Sequence, residues 1–153
     1  MAVVVLVACA VSAVIWMMPH DTRTAASHND CAAVEKLGEQ WNAMGKSVTA
    51  LENGPGERAD LLAIADSESA MSEKIRAAAG PVSNPALRTQ LEKLAHGTAL
   101  SASLQRGAAT RPPQSTPPTG EDRDFYHASV MTYEATSALL QACPRMPRAA
   151  QPS

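Results

Sequence analysis

Cys31 and Cys143 bracket almost everything in this chain that reads as folded, and no other feature limits its possible shapes as much. A disulfide needs its two Cα atoms within about 7 Å of each other. If these two are joined, the start of the first amphipathic segment must meet the end of the last. In the chain-entropy account, closing a loop of roughly 100 residues stabilises by about 4.7 kcal/mol, which matters most to a small domain with a modest core. Two cysteines in an exported domain read as one bond, whereas in a reducing compartment they would stay thiols. The compartment is therefore the first question.

The opening stretch "MAVVVLVACAVSAVIWMMPHDT" addresses it. Residues 2–18 carry no charge and no strong helix breaker. The run is a little short of the ~20 residues that cross a bilayer core, with Trp16 placed to reach the headgroup layer and Pro19 closing it. A cleaved export signal normally has a positive leading region and a small-residue cleavage site. Here the α-amine is the only leading positive group, and Thr24-Ala25-Ala26 is an imperfect site. Leu6-Val7-Ala8-Cys9 is similar to the acylation box of bacterial lipoproteins, but it lies too near Met1 and continues into further apolar residues. Cys9 is thus read as a cysteine within an apolar helix. Residues 1–19 are expected to be a membrane anchor, or alternatively a signal cleaved near Ala26. Either sends the remainder outside, single-pass in the cell membrane or secreted.

Past a short linker over 20–28, the hydrophobic pattern repeats at helical spacing. Asn29-Asp30 offers a helix start, and Val34, Leu37, Trp41, Met44, Val48 and Leu51 recur at steps of three and four, the mark of one buried helix face. Asn53-Gly54-Pro55-Gly56 stops that helix. A second is expected over 57–79, with Leu61, Ile64, Met71, Ile75 and Ala78 inward and Lys74 and Arg76 late, where the helix dipole favours them. The third has the clearest beginning: Ser83-Asn84 as cap and Pro85 in the first turn. Leu87, Leu91, Leu94, Thr98 and Ser101 form its stripe, widened by Leu100 and Leu104, and Gly107 is read as its end. The Pro-rich stretch over 108–120 has no apolar period and reads as a solvated linker. A fourth helix follows over 122–143, with Tyr126, Val130, Tyr133, Ser137 and Leu140 on its face and Cys143 continuing it. Residues 144–153 are expected to be a disordered tail.

No segment alternates like a strand, so the fold class is all-α: an antiparallel four-helix up-down bundle over residues 29–143, behind the apolar segment. That topology puts Cys31 and Cys143 at one end, consistent with a bond between them.

Chemistry is sparse. There is no nucleophile elbow, phosphate-binding glycine loop or zinc-protease motif, and no paired Cys-x-x-Cys. Glu92 and His96 sit one helical turn apart, not at the Glu-x-x-His spacing of bundle metal sites, and read as an exposed pair. No enzymatic activity and no metal or other cofactor is expected. Tyr126, His127 and His96 are the weak candidates for a bound haem, since a Tyr or His beside an apolar groove can ligate its iron. Tyr126 and Tyr133 are expected in the core with hydroxyls at its rim, and Met44, Met71 and Met131 as gap fillers. Glu68 interrupts the second helix's stripe. A buried unpaired carboxylate is costly, so either that helix turns toward Leu62 and Ala65 or Glu68 has a partner. A net charge of −2 and 3% aromatic residues, with no basic stripe, argue against nucleic acid. The expected role is non-enzymatic: an anchored or exported bundle that binds another envelope protein. The alternative is an exported module that takes a small ligand, haem or lipid, between its helices.

Overall fold

The computed structural model describes residues 26–53, 58–112 and 119–148. The apolar segment, Cys9, the cleavage site before Ala26, and residues 54–57, 113–118 and 149–153 lie outside the described residues. Among the described residues there are four helices: α1 His28–Glu52, α2 Arg58–Ala79, α3 Pro85–Thr110 and α4 Glu121–Ala142. No strand occurs among the described residues. Neighbours in sequence pack together, most closely α2 with α3, then α3 with α4, and α1 with α2 least.

Several helix boundaries have a clear local cause. Ser27, not Asn29 or Asp30, caps α1, its hydroxyl accepting from the Asp30 N–H at 3.0 Å. On α3, the Asn84 side chain accepts from the Ala86 and Leu87 N–H groups at 3.0 and 3.1 Å, and Pro85 occupies the first turn. Gly107 does not end α3. The helix runs on to Thr110 because Gly within a helix only weakens it, whereas Pro112 forbids helical geometry to the residue before it. Arg111 is accordingly extended, at φ −71° and ψ 141°. Gly120 caps α4 with φ +93°, a left-handed conformation that costs glycine little.

The core concentrates at one end. Val34 and Leu37 of α1, Met71 and Ile75 of α2, Leu87, Leu91 and Leu94 of α3, and Ala135 and Leu139 of α4 form one buried cluster with Val82, Cys143 and Met146. Three ties close that end. Cys31 and Cys143 are joined, with S–S 2.04 Å and Cα–Cα 5.3 Å. The Asp30 carboxylate accepts from the Ser83 N–H at 2.9 Å, the Ser83 hydroxyl at 2.8 Å and the Asn84 N–H at 3.2 Å, latching the α2–α3 turn to α1. Third, the chain beyond Cys143 folds back over α1. Met146 is buried, Arg145 pairs with Glu35 at 3.0 Å, and the Asn42 amide donates to the Arg148 carbonyl at 3.1 Å. The expectation of a disordered tail therefore fails over 144–148. Proline-rich sequence can be held by a neighbour's surface without any helix of its own, and Gly38 supplies that surface. A Cβ there would stand 2.8 Å from Met146 Cγ.

The fourth helix corrects the sequence reading most sharply. Tyr126 and Tyr133 are 72% and 74% exposed, whereas Ala128, Met131, Ala135 and Leu139 are buried. The inward face is turned by roughly 180° from the tyrosine stripe, at about 100° per residue. The cause is on α3. Gly97 leaves so little room that a Cβ there would lie 2.8 Å from Thr132 Oγ1 and 3.1 Å from the Ala128 carbonyl oxygen. Two backbones this close require small side chains between them, and the alanine face of α4 provides them. A tyrosine face would hold the helices apart.

Candidate functional site

The tyrosine side of α4 leaves the outer half of α1 without a cover. Trp41, Met44, Val48 and Leu51 continue the stripe begun by Val34 and Leu37, but they are only half-buried. The result is a cleft of about 440 Å³ between the two helices. Trp41, Met44 and Val48 form one wall; Ala128, Thr132 and Tyr133 form the other. Its floor is Glu68 of α2 with Thr98 and Ser101 of α3. At 1.5 Å rise per residue it begins roughly 10–15 Å along α1 and α4 from the disulfide.

Glu68 sits near the middle of the inward face of α2. That helix does turn toward Ala65, which is fully buried, and Ser72 replaces Ala78 inside, donating to the Ala95 carbonyl at 2.8 Å. The turn is too small to carry Glu68 outward. The carboxylate instead accepts from the Gln105 amide at 3.1 Å, and Ser101 also hydrogen-bonds to it. Burial pushes its pKa above the ordinary carboxylate value, opposed by the Ser101 and Gln105 hydrogen bonds and reinforced by the charge of Glu52. Both readings of Glu68 thus hold in part: the helix rotates, and the carboxylate finds neutral partners.

Asp30 was missed as more than a helix start. The Ser83 N–H first, then the Ser83 hydroxyl, hold its carboxyl below the usual carboxylate value; burial opposes them, and Ser27 and Asn84 add to the lowering. Its signal in the sequence is Ser27 three residues earlier, which makes Ser27 the cap and frees the Asp30 side chain for another partner.

The candidate haem ligands do not converge. His96, Tyr126 and His127 are all exposed, and none lines the cleft. Among the described residues no group of three or more His, Cys, Asp or Glu side chains could hold a metal ion, and no helix is long and apolar enough to cross a membrane. The cleft offers apolar walls, several hydroxyls, one carboxylate and an aromatic lip.

No protein-family model matches the chain, and neither a curated protein nor a solved structure resembles it.

Proposed function

We propose that this chain is a non-enzymatic binding protein of the cell envelope. In this reading it is an antiparallel up-down bundle, tethered through residues 2–18 or released after cleavage near Ala26, that recognises another envelope protein through its α1–α4 face. One observation carries it: α4 turns Tyr126 and Tyr133 outward, and Tyr133 borders the cleft along the uncovered stripe of α1. Tyrosine offers a large, stiff contact surface with a polar tip and is enriched where proteins meet. The Cys31–Cys143 bond supports an oxidising compartment.

The test is site-specific photo-crosslinking in cells that make the protein. A crosslinker at Tyr133 is expected to yield one discrete adduct, and one at exposed Ala77 on α2 none. Only free monomer from both positions, or equal adducts from both, contradicts the proposal.

A second reading, a small-ligand module, is favoured by the cleft itself. Its volume falls within the ~300–1,000 Å³ usual for small-molecule sites, and apolar groups dominate its walls. In that reading the α1–α4 cleft, not the three scattered His and Tyr residues, holds the ligand.

A further inference from the structure

The charge pattern of the cleft narrows what can occupy it. Among the described residues that line it there is no lysine, arginine or histidine, and Glu68 is the one carboxylate. Three basic groups of α3 and its C-terminal cap are held in ion pairs. Arg106 pairs with Asp66 at 2.6 Å, Lys93 with Glu134, and Arg111 with Glu121. The hydrogen-bond partners of Glu68, Gln105 and Ser101, are both neutral, and the charge that acts on it is another carboxylate, Glu52. Behind Glu68, outside the residues that line the cleft, Gln105 Oε1 is buried without a donor. The Gln105 amide cannot simply be reversed, because its nitrogen already serves Glu68.

We infer that the α1–α4 cleft takes a small hydrophobic amine, its ammonium group set against Glu68 and its apolar body lying along Trp41, Met44 and Val48. This rests on the small-ligand reading above and gives it a chemical class. An ammonium carries three donors and no acceptor, so it matches a cleft lined by one carboxylate and several hydroxyl oxygens, with no cationic side chain among its described lining residues. It neutralises a carboxylate that burial has made costly to ionise. Trp41 and Tyr133 both line the cleft, and aromatic rings attract a cation more than a neutral head. The same features oppose a fatty acid or any other carboxylate, whose head would meet Glu68 and, beyond it, Glu52 with like charge.

The test uses the full chain carrying Trp16→Phe, which leaves Trp41 as the only indole, and follows its fluorescence. Octylammonium, octanol and octanoate are titrated below micelle-forming concentrations, so that tail length is constant and only the head changes. Octylammonium is expected to bind saturably about tenfold or more tighter than octanol, with octanoate weakest. Glu68→Gln keeps an acceptor for the Gln105 amide and is expected to bring octylammonium down to the octanol value. Equal binding of the three probes, or an ammonium preference that survives Glu68→Gln, overturns the inference and leaves the cleft as a ligand site. Saturable binding by none of them removes the small-ligand reading as well.

Discussion

Up to Gly38, α1 places Asp30, Val34, Leu37 and Gly38 in the interior; from Trp41 to Leu51, along the same apolar stripe, it buries nothing fully. The periodicity does not change between the two halves. The neighbours do. The first half is gripped by the disulfide, by the Ser83-Asn84 turn on Asp30 and by the folded-back chain over Gly38. The second half faces an α4 whose small side has gone to α3. An amphipathic pattern shows that a helix has a face to bury, and the surrounding packing decides how much of it is buried. In the function proposed above, this uncovered half is where a partner or ligand docks, since occupying it disturbs little packed structure.

The largest effects that sharpen this contrast are in the closed end. Leu91→Ala, in the middle of the buried cluster, is expected to cost about 2–5 kcal/mol in a denaturant melt, whereas Val48→Ala in the open half costs under about 1 kcal/mol. Cys31→Ser with Cys143→Ser is expected to cost about 2–5 kcal/mol in the same assay. Equal losses at Leu91 and Val48 would erase the distinction between the halves.

Two glycines give a smaller effect of opposite sign. Gly97→Ala forces α3 from α4 and is expected to destabilise by about 1–3 kcal/mol. A Cβ at Gly45 meets nothing within 4 Å, so Gly45→Ala in the open half is expected to stabilise by about 0.5–1 kcal/mol through helix propensity alone. Thermal melts of the two variants read both signs at once.

The carboxylates give the finest test, through pH. Asp30 has a lowered pKa in the fold, so its contribution is complete above the ordinary carboxylate range and disappears as pH falls through its lowered value. The melting temperature of Asp30→Asn is therefore expected to lie below the parent's at neutral pH, with the gap narrowing below about pH 4. Glu68 behaves in reverse. Its raised pKa means the native state holds the proton more tightly than the unfolded chain, so ionised Glu68 is a liability at neutral pH. Glu68→Gln is expected to melt higher than the parent there, and the advantage is expected to vanish as pH drops toward the unfolded value of 4.5.

Much of the helical layout was legible because its signals are local. Asn84-Pro85 marks the start of α3, and the leucine repeat marks its face. What escaped depends on contacts distant in sequence. The orientation of α4 was misjudged because Tyr126, Val130, Tyr133 and Leu140 are the larger apolar residues, while the deciding fact is Gly97 on another helix. Ala128 and Ala135, seven apart, carried the signal, but small residues register weakly in a pattern that rewards bulk. Glu68 stood out as an interruption in its stripe. The cleft around it did not, because it exists only where α1 and α4 fail to meet. The hold of Met146 on Gly38 was equally invisible, since nothing in "PRMPR" has a period.

Hydrogen exchange along α1 tests the central claim most directly, that this helix is seated by its first half and open along its second. Amides from Cys31 to Gly38 are expected to be protected like those of α3, and those from Met44 to Glu52 to exchange much faster through local opening. Uniform protection along the whole of α1, equal to that of α3, would contradict it.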